Sequence, residues 1–230
     1  MRKNVFFFLM AGILLMITGC SKEDTEPEVK LPSVAKDSVL VNVPTGLKHS
    51  SDPFAQWVVS FFDGLNGIAR YSNDLRPPQG AASFHADVAG AVAYTWTDGS
   101  VTYWLVYHEE NGKCIWRVDA DFGEGKQQYI YGEQSCDGKN GKLDVQLPGE
   151  GDYHASWQYD DKNVFSFTIE STYNNMSLTL EGEINPDGSG HASVKNNGMV
   201  LLTVTWNADG SGSYKLYTSN PPYEGSWSND

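Results

Sequence analysis

The sequence predicts an all-β domain, an antiparallel meander that forms a barrel or a strongly curved sheet, with one amphipathic helix at its N-terminal side. Three observations predict this class. Beyond residue 78, apolar residues recur at every second position in about eleven short runs. Turn signals rich in Gly, Asn and Asp separate these runs, with no room for alternating helices. One helical pattern precedes them, and its apolar side needs a sheet to cover it.

The predicted helix covers about residues 53–65. Ser51 or Asp52 can cap its first backbone N–H groups, and Pro53 suits the first turn. Its apolar positions follow helical spacing and form one stripe, made of Phe54, Trp57, Val58, Phe61, Phe62 and Leu65. We expect Gly64 and Gly67 to end it. We expect the helix to be a plug or a lid on the apolar face of the sheet, because eleven strands leave more interior than side chains alone fill.

The strand pattern is clearest in the second half of the chain, where apolar and polar residues alternate strictly. The predicted strands lie near residues 91–96, 101–108, 113–121, 127–134, 141–147, 153–159, 163–170, 176–184, 190–195, 199–206 and 212–217. The alternation places one set of side chains in the core, which includes Trp116, Ala155, Trp157, Phe165, Phe167, Ile169, Leu178, Leu180, Ile184 and Trp206. The alternate positions face solvent, and His154 and His191 are among them.

Two turns repeat at a period of 22 residues, Asn185–Gly190 and Asn207–Gly212. Each has Asn first, then Pro or Ala, Asp and Gly, which predicts a type I turn followed by a glycine bulge. An EF-hand calcium loop needs alternating oxygen donors and a distant glutamate, which these turns lack. They indicate duplicated hairpins.

The first nineteen residues have the three-part pattern of a secretory signal. Arg2 and Lys3 are followed by an apolar run from Val5 to Ile17, and the sequence Ile17-Thr18-Gly19-Cys20 closes it. The run is too short for a transmembrane helix, which needs about 20 apolar residues. Cleavage before Cys20 is the expected outcome.

This segment resembles the N-terminus of bacterial lipoproteins, in which the lipobox cysteine becomes the acylated first residue. Residues 21–24, Ser-Lys-Glu-Asp, resemble the Lys-acidic export signal of Bacteroidetes-type outer-membrane lipoproteins. The resemblance covers residues 1–24 and implies lipidation of Cys20, an outer-membrane location and exposure at the cell surface. An acidic tether facing the periplasm is the alternative for residues 21–24.

The chain is therefore expected to have three parts: a signal peptide at 1–19, a lipid-anchored tether at 20–45, and one β-rich domain at 46–230. Loss of the signal peptide leaves 29 acidic residues against 14 basic ones, a net charge of −15. Such a chain repels phosphate backbones and anionic headgroups. We therefore expect no nucleic-acid partner, and membrane contact through the lipid on Cys20.

Cys114 and Cys136 remain after the lipidated cysteine, and an exported protein with an even pair is expected to form a disulfide. If the two cysteines face each other across a hairpin, Arg117 pairs with Glu133 on the solvent side. The tip of this hairpin is then expected at residues 122–126.

The domain is unusually rich in aromatic residues, with seven Trp and twelve Tyr in 230 residues. The run at 101–108 is apolar on both sides, so one of its two sides can face a ligand. The expected ligand-binding residues are Tyr103, Trp104, Tyr107, Tyr129 and Tyr131. Asp119 and Asp121 are expected to share a face with Tyr129 and Tyr131, which is the one arrangement that suggests hydrolase chemistry on surface carboxylates.

No nucleophile motif, zinc-binding helix, CxxC pair or phosphate loop occurs in the chain, and we expect no enzyme activity, cofactor or metal site. The leading hypothesis is a surface-tethered, non-catalytic binding protein for a glycan or another nutrient. The first alternative is a lipocalin-like carrier that holds a small apolar ligand in the barrel interior. The others are an envelope-structural or adhesive protein, and the hydrolase.

Overall fold

A computed structural model describes residues 45–74, 77–149, 151–173 and 176–228 of the chain. It contains two helices, α1 Thr45–His49 and α2 Pro53–Asp74. Thirteen strands follow: β1 Ala82–Ser83, β2 Val92–Asp98, β3 Val101–Glu110, β4 Lys113–Asp121, β5 Lys126–Ser135, β6 Asn140–Leu147, β7 Gly151–Tyr159, β8 Phe165–Tyr173, β9 Met176–Ile184, β10 Gly190–Asn196, β11 Met199–Trp206, β12 Gly212–Leu216 and β13 Tyr223–Trp227.

The strands form one antiparallel sheet in which spatial order equals sequence order, from β1 to β13. Each of the two end strands has one neighbour among the described residues, so the sheet is curved but not closed. The predicted all-β meander is confirmed. The two-residue β1 and the short β13 were not predicted, because neither has enough alternating apolar positions to form a recognisable pattern.

Helix α2 begins as the sequence predicts. The Asp52 carboxylate accepts hydrogen bonds from the backbone N–H groups of Phe54, at 2.8 Å, and Ala55, at 3.3 Å, and Pro53 occupies the first helical position. The predicted end was wrong, since the helix continues through Gly64 and Gly67 to Asp74. A glycine inside a helix costs only about 1 kcal/mol, and tertiary packing readily offsets that amount.

The buried face of α2 lies on the apolar face of the sheet. Val58 and Phe62 are almost completely buried, and the Phe62 ring meets Phe167 of β8 and Trp206 of β11 edge-on, each at 5.8 Å. Phe54 stacks on Tyr214 of β12 at 3.8 Å. The helix therefore covers the sheet from β8 to β12. Trp57 was predicted in the stripe but is 38% exposed, and the side chains of Phe61 and Leu65 lie outside the described residues.

An aromatic residue lies directly opposite a glycine in every second hairpin from β4 to β13. The cross-strand pairs are Trp116 with Gly132, Trp157 with Gly141, Phe167 with Gly182, Trp206 with Gly190, and Trp227 with Gly212. In the three pairs with Trp157, Trp206 and Trp227, the indole N–H also donates to the carbonyl of a glycine in the adjacent turn. Large rings thus fill the space that glycine leaves, and the sheet repeats one packing unit.

The two repeated turns have the predicted conformation. The N–H of Gly188 donates to the Asn185 carbonyl at 2.9 Å, and Gly188 has a φ of +86°. Gly210 matches it, with a φ of +87°. Most of the predicted core is buried, but Leu178 is 48% exposed because β9 begins at the end of the sheet, beyond the packed layer.

Candidate functional site

A β-bulge decides which aromatic side chains share a face. In the β4–β5 ladder Val118 pairs with Ile130, but the next residue, Asp119, pairs with Gln128, so Tyr129 is the extra residue. The bulge turns the buried Tyr129 toward the core side of the sheet. The expectation that Asp119 and Asp121 share a face with both Tyr129 and Tyr131 is therefore wrong, since strict alternation does not hold across a bulge.

The five predicted ligand-binding residues fall on two different faces. Tyr103, Tyr107 and Tyr129 belong to the core side, where Tyr107 and Tyr129 are buried and Tyr103 packs against the core. Trp104 and Tyr131 are half-buried on the opposite, outer face, together with charged residues from β4 and β5. The structure thus brings together two of the five on the accessible outer face.

The first half of this outer site is built around Asp119. Its carboxylate receives Arg117 Nε at 2.6 Å and Lys126 Nζ at 3.3 Å, and its side chain is only 7% exposed. Lys126 Nζ also lies 4.9 Å from the centre of the Trp104 ring. Trp104 is the cross-strand partner of Asp119, so the carboxylate that binds both cations also holds one of them, Lys126, beside the indole.

The second half repeats this arrangement around Glu133. Its carboxylate receives Lys113 Nζ at 2.5 Å and Lys142 Nζ at 3.3 Å, and the Tyr131 hydroxyl donates to it at 3.2 Å. Lys142 Nζ lies 5.2 Å from the centre of the Tyr131 ring. The hydrogen bond from Lys113, followed by that from Lys142, holds the pKa of Glu133 below its ordinary value. The carboxylate is therefore ionised at neutral pH.

We name these residues the outer aromatic platform: Trp104, Arg117, Asp119 and Lys126 in one half, and Lys113, Tyr131, Glu133 and Lys142 in the other. Trp104 lies two strands from Tyr131 and two residues further along the ladder. Strand spacing and residue rise then place their Cα atoms about 12 Å apart. The platform offers two separated ring faces, each bordered by charged hydrogen-bonding groups.

The cationic residues of the platform were missed by the sequence reasoning. Arg117 was placed opposite Glu133, whereas the ladder pairs it with Tyr131, and Glu133 pairs with Lys142 of β6. The sequence does contain a pattern that could have predicted this charged cluster, because Arg117, Tyr131 and Glu133 are solvent-side positions of neighbouring strands. Predicting which of these side chains meet requires the correct register of β4 and β5.

A second aromatic group lies on the core side near the β2–β5 end of the sheet. Trp96 stacks on Tyr103 at 5.4 Å, Tyr103 meets Tyr129 at 6.4 Å, and Tyr129 meets Phe122 at 5.4 Å. We name these four residues the inner aromatic group. The α2 contacts described above are with β8, β11 and β12, not with these four residues. Phe122 is 37% exposed, so solvent reaches one end of the inner aromatic group.

The expected disulfide is not formed, and both cysteines are free. Cys114 pairs with Gln134, two residues from the predicted partner, although its Sγ atom lies 2.8 Å from Sγ of Cys136. The hairpin tip falls at residues 122–125, within the predicted range of 122–126, and Lys126 is already the first residue of β5. A hydrogen bond with Cys114 raises the pKa of the Cys136 thiol to about 11, so it is protonated at neutral pH.

Two further polar arrangements lie outside the outer aromatic platform. Asp121 accepts the N–H groups of Gly123 and Gly125 at the β4–β5 tip, at 2.7 and 3.0 Å. His154 lies on the solvent side, as predicted, with Nδ1 2.7 Å from the Asp144 carboxylate. Within the described ranges, no three His, Cys, Asp or Glu side chains are grouped so that they could hold a metal ion. Among the residues that the structure describes, no helix is both long and apolar enough to cross a membrane.

Comparison with known proteins returned no match to a family model, to a curated protein or to a solved structure.

Proposed function

We propose that this protein is a surface-tethered, non-catalytic lipoprotein that binds a glycan on the outer aromatic platform. The observation that carries the proposal is the presence of Trp104 and Tyr131 on one face, each with a lysine over its ring, while that lysine and a second cation share a carboxylate.

Aromatic faces and hydrogen-bonding groups are the two features that recognise sugars. The C–H face of a pyranose ring packs on an aromatic ring, and its hydroxyls exchange hydrogen bonds with charged side chains around the edge. Lys126 and Lys142 lie over the rings on long, flexible side chains and can move aside to meet ring hydroxyls. The separation of about 12 Å between the Cα atoms of Trp104 and Tyr131 suits an oligosaccharide that contacts both side chains.

The membrane location in this proposal depends on Cys20, which lies outside the described residues. Acylation of one cysteine, with the expected tether at 20–45, would hold the domain at the membrane surface. The test is membrane fractionation of a Cys20→Ser variant expressed in a bacterium with the lipoprotein pathway. We expect the wild-type protein in the membrane fraction and the variant outside it. An unchanged distribution would contradict the anchor.

Glycan binding is tested by affinity electrophoresis of the full chain through gels that contain neutral or acidic polysaccharides. At least one polysaccharide should retard the wild-type protein, and the Trp104→Ala/Tyr131→Ala variant should lose that retardation. Trp57→Ala is the matched control, because it removes an exposed aromatic ring from α2, away from the platform. Retention of binding in the double variant would reject the platform as the site.

The inner aromatic group supports a second candidate, a carrier of a small apolar ligand. Trp96, Tyr103, Tyr129 and Phe122 are in continuous ring contact, and one end of the group reaches solvent. An apolar ligand entering at Phe122 would extend this contact. Titration with a hydrophobic dye tests it, since Tyr103→Ala should weaken dye binding while Trp104→Ala, on the outer face, should not.

A further inference from the structure

Large apolar side chains are exposed at one end of strands β8 to β13. Met199 is 68% exposed, Tyr223 58% and Met176 56%. Tyr173, Leu178 and Tyr217 at the same end are also more than one-third exposed. We name these six residues the uncharged rim. Exposed apolar groups of this kind mark an interaction surface when they are contiguous.

Hydrogen bonds join neighbouring segments of the rim. The N–H of Asn197 donates to the Ser177 carbonyl at 2.8 Å, and the N–H of Ser177 donates to Asn197 Oδ1 at 3.0 Å. The N–H of Tyr217, just after β12, donates to the Leu201 carbonyl of β11 at 2.8 Å. These hydrogen bonds use the backbone N–H groups of Asn197, Ser177 and Tyr217, which are therefore not left to bind a ligand.

Charge separates this end of the strands from the opposite end. The segments 171–180, 196–206 and 216–223 contain no charged residue, in a chain whose net charge is −13. The turns at the other end of the same strands carry Asp160, Asp161, Asp187 and Asp209. Lys195 and Lys215, which flank the rim, are paired with Glu181 and Glu224, and Lys215 Nζ also lies 5.6 Å from the centre of the Tyr217 ring. The uncharged rim is thus the part of β8–β13 that anionic headgroups do not repel.

We propose that the uncharged rim docks on the surface of a lipid bilayer. Tyrosine is favoured at the boundary between hydrocarbon and water, and Met or Leu at a turn tip can enter the headgroup layer without a shaped partner. The six rim side chains are mainly apolar, whereas a glycan site needs convergent hydrogen-bonding groups and a bilayer surface does not. This inference rests on the proposed lipid anchor but not on glycan binding by the outer aromatic platform.

Docking at this end would also fix the orientation of the domain. The strands would stand with their acidic turns away from the lipid, and the outer aromatic platform of β3–β6 would remain on the side of the sheet. A tethered domain needs only a weak contact for this, because the tether keeps the local lipid concentration high.

The test places an environment-sensitive fluorophore at either end of the same strands. Met199→Cys labels the rim and Asp161→Cys labels the acidic end, both in a Cys136→Ser background that removes the exposed native thiol. The full-length protein is reconstituted into phosphatidylcholine vesicles that contain brominated lipid. We expect blue-shifted, strongly quenched emission at position 199 and unchanged emission at position 161.

Equal quenching at both positions, or at neither, would overturn the proposal. A change at position 199 that follows protein concentration without vesicles would indicate a second copy as the occupant, and a change produced by polysaccharide alone would indicate a glycan. Either would also overturn it. Adding Met176→Asp and Tyr223→Asp should abolish the quenching at position 199, and an unchanged melting temperature would show that the domain remains folded.

Discussion

Trp206 lies across Gly190, its direct partner on the neighbouring strand, with no side chain between the indole and the sheet. A Cβ atom on Gly190 would lie 2.6 Å from Cζ2 of Trp206 and would also clash with the Glu183 carbonyl oxygen. The same Trp206 ring meets Phe62 of α2 at 5.8 Å, so this one contact joins the sheet repeat to the helix.

Gly190→Ala should therefore destabilise the domain. Overpacking in a closed site costs about 1 to 3 kcal/mol, and here a backbone carbonyl as well as the ring must shift. Urea unfolding followed by tryptophan fluorescence measures the change. Gly64→Ala is the matched control, because its Cβ meets no atom within 4 Å, and a helical Gly→Ala exchange should add about 0.5 to 1 kcal/mol. Equal effects of the two variants would contradict the packing argument.

Phe62→Ala should lower the free energy of unfolding by about 3 to 5 kcal/mol, because this ring is completely buried between Phe167 and Trp206. Thermal and urea unfolding measure the loss. Trp57→Ala, on the exposed side of the same helix, should cost much less. If Phe62→Ala changed dye binding but left stability intact, α2 would be a lid over a cavity and not part of the packed core.

Alkylation of Cys136 should be slow at neutral pH and should accelerate toward a pKa of about 11, because its hydrogen bond with Cys114 favours the protonated thiol. Mass spectrometry of protein treated with iodoacetamide measures the rate against pH. Cys114→Ser tests the stated cause, since removing the sulfur partner should move the rate profile to lower pH. Fast labelling at pH 7 would contradict the prediction.

The same shift affects stability in alkaline solution. A pKa raised in the folded state means that the stabilisation is complete below the unfolded value of 9.0 and disappears as the pH rises through about 11. Stability of the wild-type protein should therefore fall between pH 9 and 11, and Cys136→Ser should remove the part that this thiol contributes.

Glu133→Gln should reduce the loss of stability in acid. The pKa of Glu133 is lowered by the bonds from Lys113 and Lys142, so its contribution is present above the unfolded value of 4.5 and is lost as the pH falls through the folded value. The ion pairs are partly exposed, and their contribution is about 1 kcal/mol or less. Melting temperatures of both proteins from pH 3 to 7 measure the difference, which should be present at pH 7 and vanish near pH 3.

Local pattern was sufficient for most of the sheet. Strict alternation identified the hairpins from β7 to β12, since a period of two is incompatible with a helix and one buried face fixes which residues point inward. The Asn-Pro-Asp-Gly and Asn-Ala-Asp-Gly turns were equally legible, because only glycine tolerates the φ values near +86° and +87° found there. The Asp52 cap and the start of α2 followed from single residues for the same local reason.

The sequence by itself determined the strand class, the repeated turns and the face of α2 that contains Phe62, since each depends on residues close together in the chain. Tertiary structure alone decided the rest. The bulge at Tyr129 moved that ring to the core side, and the two-residue difference in register brought Tyr131 opposite Arg117. Register depends on the summed packing of two whole strands, so no short segment encodes it. Strand register and the bulge at Tyr129 therefore decided which residues form the outer aromatic platform, the proposed binding site.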